Sequence, residues 1–437
     1  MSLKLTSYKG TRDLYPSDMA LRNYIFDGWR QVVESYGYEE YMAPLLEPLE
    51  VYTAKSGEEI VNDQTYSFTD RGGRQMVIRP EMTPSISRMV AARRQELPLP
   101  GRYYSIANFM RYERPQHGRE REFWQLNFDL FGVDNIHADI EIISLSYDIL
   151  KHFGATNGMF TIKVGDRRLT DFIMRQYIGL DDDKTGQIIK LLDRFDKMPR
   201  EKFDAAASEI INDAGKESKL AKIIEVQSLD DLPTEVSSST VVEPLKNVLS
   251  SLHQHGIVNA VYDVRLMRGF DYYTGIVFEA FDEAPENRRA MFGGGRYDGL
   301  VSLFGVDGLP VVGAAPGETM FIEFLKAHHL LPDLTAKGPE VTILPFDGDT
   351  TPAAIKLAQQ LRADGFRVSV DMTSRKIGAK TKAAVKNSTR FVVYLGQDDL
   401  TQGSANVKDT TNGQQENVKF DTIASYISES ESKKGGK

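Results

Sequence analysis

The stretch from Asn108 to Gly132 reads NFMRYERPQHGREREFWQLNFDLFG, and its residue types suit an anionic ligand. From Phe123 to Phe131, apolar Trp124, Leu126, Phe128 and Leu130 alternate with Gln125, Asn127 and Asp129. That is the period of a half-buried strand, so one face enters a core and the other carries three polar groups. Just before it stand Arg111, Glu113, Arg114, Arg119 and Arg121, in a loop that strand pairing would fold back over the same sheet. Arginine forks grip phosphate at two points, which favours a negatively charged ligand lying across that face. A solvated hairpin with a polar outer face would carry the same pattern.

Other stretches add candidate groups. In Arg79-Pro80-Glu81-Met82-Thr83-Pro84, Glu81 and Thr83 lie two apart and point the same way on extended backbone. A carboxylate beside a hydroxyl suits an ammonium group, and Thr83 could equally cap the helix that follows. Further on come Arg268-Gly269-Phe270-Asp271-Tyr272-Tyr273-Thr274-Gly275 and Phe292-Gly293-Gly294-Gly295-Arg296-Tyr297-Asp298-Gly299. Three glycines allow either close approach of backbone to a ligand or a tight turn. The lysine and hydroxyl of a P-loop are missing from that run. His253 and His255 are two apart, the wrong spacing for a metal site on one helix face.

Several elements must position these groups. Ser17 or Asp18 can cap a helix in which Leu21, Ile25, Trp29, Val32 and Val33 recur at helical spacing, and Gly37 can end it. A hairpin is expected over Tyr66–Phe68 and Gln75–Arg79, a helix from Ser85 to Gln95, and a strand from Tyr103 to Phe109. Residues from about 170 to 255 are rich in Asp, Lys, Ile and Leu at helical spacing and predict a mainly helical insert. A strand should resume at Ala260–Met267. Beyond Pro339, strands and helices alternate, which predicts a small α/β domain with a largely parallel sheet.

Composition sets the frame. The chain has 437 residues, of which 41% are hydrophobic and 26% charged, enough for two or three ordinary globular domains. No apolar run approaches the roughly 20 residues of a membrane span, and the start MSLKLTSYKG lacks the apolar core of a signal peptide. With no cysteine to form disulfides or thiolate metal sites, a cytoplasmic protein that does not enter a membrane is expected. The net charge of −9 argues against nonspecific nucleic-acid binding by the whole molecule. Between Gly365 and Arg390, however, seven basic residues stand against Asp371 alone, either a solvated helix face or a local nucleic-acid contact.

Taken together, K-G-T-R-D, R-P-E-M-T, R-Y-E-R-P-Q-H-G-R-E-R-E-F, R-G-F-D-Y-Y-T-G and G-G-G-R-Y-D-G-L occur in an order that resembles the histidyl-tRNA synthetases, a class II family, over nearly the whole chain. The resemblance implies an α+β fold: a class II antiparallel sheet flanked by helices, a helical insertion and a C-terminal α/β anticodon-binding domain. The expected bounds are 1–169 and 256–330 for the catalytic core, 170–255 for the insertion, 338–430 for the anticodon-binding domain and 431–437 for a disordered tail. It also implies ATP-dependent activation of L-histidine, transfer to histidine tRNA, Mg2+ bridging the phosphates, and a homodimer in which the first helix and the Pro44 segment form the dimer motif.

Residue roles follow from the same resemblance. Arg111 would hold the α-phosphate of ATP and the histidine carboxylate, with Glu113 and Arg121 placing adenine and phosphates. Glu81, Met82, Thr83 and Gln125 would surround the α-amino group. Arg268 would stand beside the reacting phosphate, and Asp129, Tyr272, Tyr273 and Tyr297 would enclose the imidazole. Two departures stand out. Asp129 occupies a position where the family often has glutamate. The third class II motif usually carries an arginine that clamps the γ-phosphate, whereas V-G-A-A-P-G-E-T-M-F has Thr319 and Met320 there. The alternative is a histidine-binding regulatory paralogue without catalysis, such as the regulatory subunit of ATP phosphoribosyltransferase. Such a protein would be expected to lack the C-terminal domain and degrade the Arg268 motif; both are present.

Overall fold

The structure, a computed structural model, describes residues 5–53, 64–195, 198–266, 272–287, 289–334 and 338–432. Two compact units divide the chain: one is built on residues up to Leu14 with Leu21–Pro332, the other on Tyr15–Ala20 with the chain from Asp333 onward.

An eight-stranded sheet dominates the first unit. Its strands are β1 (Glu39–Glu40), β5 (Gly101–Met110), β6 (Glu122–Phe131), β7 (Phe160–Asp166), β8 (Ala260–Tyr262), β9 (Ile276–Asp282), β10 (Ala290–Arg296) and β11 (Val311–Ala314). They lie in the order β1-β5-β6-β11-β10-β9-β7-β8. The six central strands pair antiparallel, and β1 and β8 add parallel at the two edges. A smaller sheet joins β2 (Leu46–Pro48), β3 (Tyr66–Thr69) and β4 (Gln75–Ile78).

Helix α1 (Pro16–Ser35) buries Ile25, Trp29, Val32 and Val33, the stripe its periodicity predicted. Proline opens it, and Asp18 caps it from inside by accepting the backbone N–H of Tyr15 at 2.9 Å. Gly37 takes a left-handed φ of 79° just past its end, a conformation that glycine adopts without strain. Helix α2 (Thr83–Ala92) starts two residues earlier than its pattern predicted. Helices α3 (Ile136–His152) and α4 (Glu318–Ala327) join α1 in one apolar cluster with Phe128, Phe160, Phe321 and Phe324. The helical region after β7 joins the same cluster through Ile188, Phe203 and Leu245.

The second unit is an α/β domain whose five strands mix directions. Strands β12 (Val341–Pro345), β13 (Val368–Val370) and β14 (Phe391–Leu395) are parallel, and β15 (Ser404–Asp409) and β16 (Gln415–Lys419) continue antiparallel. The expected sheet is therefore parallel only over its first three strands. The last helix runs from Ile423 to Ser432, so two residues expected in the tail are helical. Residues 433–437 of that tail lie outside the described residues.

One expectation changes in the core. The glycine run is not a tight turn; Gly293, Gly294 and Gly295 sit inside β10, where a Cβ on Gly295 would lie 2.9 Å from the Tyr273 ring. In the same motif, Arg296 is buried; its Nη2 and Nε donate to the buried Asp139 carboxylate at 2.7 and 3.3 Å, while Nη2 also meets the Asn135 carbonyl and Nη1 the Val133 carbonyl. Removing one partner of such a pair strands a charge in the interior. Arg296→Met is expected to destabilise the first unit by about 3 kcal/mol in urea unfolding, with part of the loss recovered when Asp139→Asn is added.

Candidate functional site

The polar face of β6 forms the floor of a cleft of about 330 Å³, within the range of small-molecule sites. Gln125, Asn127 and Asp129 all line it, as do Glu81, Thr83, Arg111, Glu113, Tyr272, Tyr273 and Tyr297. Residues from the α2 start, β6, β9, β10, β11 and the chain just after β5 thus line one cleft. From Leu126 onward β6 is buried on both faces, more than the half-burial its alternation predicted. The added cover comes from chain far away in sequence: Gly313 of β11 pairs with Asp129, and Tyr297 follows β10.

Gly313 is bare for a steric reason. A Cβ there would lie 2.0 Å from Oδ1 of Asp129, so a side chain would displace the carboxylate. The Tyr297 hydroxyl donates a short hydrogen bond to the same oxygen. Burial pushes the Asp129 carboxyl up to about 7, against the lowering effect of that bond, and pushes the Tyr297 hydroxyl well above its usual range. Beside it, the Tyr272 hydroxyl donates to Oε2 of Glu81 at 3.1 Å, and Tyr52 donates to the Glu81 carbonyl at 3.2 Å.

Arg111 enters from the end of β5. Its Nε donates to the Pro80 carbonyl at 2.9 Å, and its guanidinium lies over the Phe123 ring. Thr83 is the first residue of α2 and gives no side-chain cap; Met82 occupies the cap position. Thr83 therefore reaches the cleft without the capping role that its spacing also allowed. Met82 itself is fully buried with Ala43, Ala107 and Phe109, and it is absent from the residues described around the cleft. Met82 already has helical backbone angles, so the extended alternation expected for Glu81 and Thr83 does not hold here, although both of those residues reach the cleft.

The arginine hairpin divides its work unexpectedly. Arg119, rather than Arg121, lines the cleft, and its Nη1 donates to Glu113 at 3.0 Å. The guanidinium of Arg121 lies over Tyr8 and Tyr112, donates from Nη1 to the Tyr8 hydroxyl at 2.5 Å and from Nε to the Glu113 carbonyl. Those contacts draw it toward the N-terminal strap. Arg268 lies outside the described residues.

No role was expected for Asn127, yet it is buried in the cleft, and among the described residues its amide nitrogen has no hydrogen-bond partner. Its place between Gln125 and Asp129 in the alternating run was the available signal. In the second unit, Arg375, Lys376, Lys382 and Lys386 are exposed, whereas Lys380 is buried and donates to the carbonyls of Pro345 and Asp371. Only part of the basic cluster thus faces outward.

With that geometry in place, comparison with known proteins is specific. The family described as Histidyl-tRNA synthetase matches residues 10–316, and the one described as Anticodon binding domain matches residues 340–430. A histidine-tRNA ligase of Leptospira biflexa is 39% identical, spanning 98% of this chain and 99% of its own length. One from Thermococcus kodakarensis is 36% identical, over 97% and 98%. The crystal structure of histidyl-tRNA synthetase from Nostoc sp. PCC 7120 shares the fold with a TM-score of 0.79 at 24% identity, covering 98% of this chain and all of that one. Every cleft residue described above falls inside the first matched span except those that follow Pro316, and on that match the chain belongs to the histidyl-tRNA synthetase family.

Proposed function

We propose that this chain activates L-histidine with ATP and transfers it to the 3′ end of histidine tRNA. The observation that carries the reading is the floor of the cleft, where a buried carboxylate bonded to a tyrosine lies on the same strand face as Gln125 and across from Glu81 and Arg111. Relatives named histidine-tRNA ligases, similar along nearly their whole length, support it. The regulatory-paralogue reading has less support, because the match extends through an anticodon-binding domain.

In this reading Asp129, with Tyr297 and Tyr272 around it, accepts the imidazole N–H. A site built for that bond rejects apolar analogues, which leave the buried carboxyl with the Tyr297 bond but without the one the imidazole supplies. Glu81, Thr83 and Gln125 receive the ammonium group. Arg111 sits between the histidine carboxylate and the α-phosphate, and Arg268 is assigned beside it from the R-G-F-D-Y-Y-T-G match alone. A histidine carboxylate oxygen bonds to the α-phosphorus, the bond to the β-phosphate oxygen breaks, and pyrophosphate leaves. Fixed guanidinium groups stabilise the charge that grows on the phosphate oxygens without reorganising. A ribose hydroxyl at the tRNA 3′ end then attacks the acyl carbon and AMP departs.

Magnesium prefers phosphate oxygens and water and would arrive with the nucleotide. Among the described residues no group of three or more His, Asp or Glu is placed to hold a metal. No described helix is long and apolar enough to cross a membrane. Exposed Lys376, Lys382 and Lys386 give the second unit positive charge for the tRNA backbone. Exposed Met42, Leu45 and Leu46 beside Pro44 give the first unit apolar surface for a homodimer; light scattering is expected to return twice the chain mass, and a monomer would remove that part of the reading.

Histidine-dependent exchange of pyrophosphate into ATP, followed by charging of histidine tRNA, tests the function; exchange without charging or no exchange at all would refute it. Asp129 gives a second test with a sign. Its carboxyl ionises near 3.8 in the unfolded chain and near 7 in the folded one. Between those values the native state holds more protons, so its stability falls as pH rises and levels off above 7. Asp129→Asn removes that cost: relative to wild type it is expected to gain stability from pH 5 to pH 8, on the order of 2 kcal/mol, while its KM for histidine rises about tenfold. Thermal unfolding at the two pH values and exchange kinetics check both halves.

A further inference from the structure

We propose that Arg12 is the guanidinium that receives the distal phosphates of ATP in this chain, and that Glu120 holds it beside the cleft until the nucleotide enters. The inference rests on the adenylation reading above and adds a residue to it.

Charge around the cleft poses the problem. Among the described lining residues two arginines, Arg111 and Arg119, stand with five carboxylates. Arg268 is assigned to the same site from its motif, and a polyanion spread over several phosphates gains from each further cation within a few ångströms. Arg119 is already paired with Glu113 at 3.0 Å. Thr319 and Met320 stand on the same wall, and neither a hydroxyl nor a thioether carries charge to offset a phosphate.

Arg12 is the guanidinium directly behind that wall. Its Nε lies 2.7 Å from Oε1 of Glu120, and its Nη2 lies 3.7 Å from Oε2 of Glu318. Glu318 does not require it, because Arg22 already grips both oxygens of that carboxylate at 2.7 Å through Nε and Nη2. The close partner of Arg12 is therefore Glu120, a lining residue whose other oxygen meets the Thr319 hydroxyl at 3.4 Å. Burial pushes the Glu120 carboxyl upward, against the lowering effect of Arg12 and with Glu318 adding to the rise.

The strap that carries Arg12 is fixed two residues earlier. The Gly10 carbonyl accepts the backbone N–H groups of Arg121 at 2.7 Å and Glu122 at 3.2 Å, and Tyr8 meets the Arg121 side chain. The backbone beside Arg12 is thus held against the hairpin. As the phosphates enter, the N–H donors of Arg12 pass from the Glu120 carboxylate to phosphate oxygens, and Glu120 turns outward. No covalent bond changes.

Titration of the full chain with magnesium ATP by calorimetry, together with exchange kinetics, tests this. Arg12→Ala is expected to weaken ATP binding and raise the KM for ATP by about tenfold to a hundredfold, the worth of one charge-assisted contact, with the KM for histidine within about twofold of wild type. Arg12→Lys should recover part of the loss, and Glu120→Gln, which frees Arg12 without removing it, should leave ATP binding equal or tighter. Unchanged ATP affinity in Arg12→Ala overturns the proposal. So does equal loss for both substrates with a lowered Tm, which makes Arg12 a structural strap residue. An absence of exchange in the wild-type protein would overturn the adenylation reading itself, while the ATP titration still decides the role of Arg12.

Discussion

A strand that is buried on both faces while carrying Gln125, Asn127 and Asp129 on one of them constrains everything around it. Polar groups taken from water cost free energy unless they meet partners, and a carboxylate costs most of all. The chain answers by bringing Tyr297 onto Asp129 and by leaving Gly313 bare opposite it. The compensation is partial, since Asp129 remains hard to ionise and, among the described residues, the amide nitrogen of Asn127 stays without a partner. A pocket that is incompletely satisfied in its free state is one in which a substrate with matching donors and acceptors gains the most.

The surrounding elements follow from that requirement. Antiparallel pairing of β6 with β5 and β11 fixes which residues sit opposite the polar face, and a slip of one residue would turn Asp129 into the apolar layer under α1 and α3. The apolar face is held by Phe128 and Leu126 in the cluster that includes Trp29, Ile142 and Phe321. Glycines inside β10 let the Tyr273 ring lie against the strand, which narrows the cleft from its far side. The site therefore depends on core packing as much as on its own residues.

Charge is arranged by the same economy. Arg296, which stands in a motif that looks chemical, is spent on Asp139 inside the fold, and Arg121 is spent on Tyr8 and Tyr112. Arg111 and Arg119 remain at the cleft, with Arg12 one carboxylate behind it. The distribution matches a site that meets phosphate only when a ligand brings it, because free guanidinium groups left in a closed pocket would repel one another.

The sequence alone determined the elements and the identity of most cleft residues. Period-two alternation exposed β6 with Gln125 and Asp129, helical spacing exposed α1, and the ordered motifs marked Glu81, Arg111, Tyr272 and Tyr297, and these six polar residues line one cleft. These patterns are local, and local hydrophobic periodicity survives in a one-dimensional reading. What it could not decide was which of several like residues faces the site. Met82 turned inward, Arg119 took the place expected of Arg121, and Arg12 came to stand behind Glu120 from more than a hundred positions away. Those outcomes depend on register between distant strands and on competition among partners for each guanidinium, and both exist only once the chain has packed.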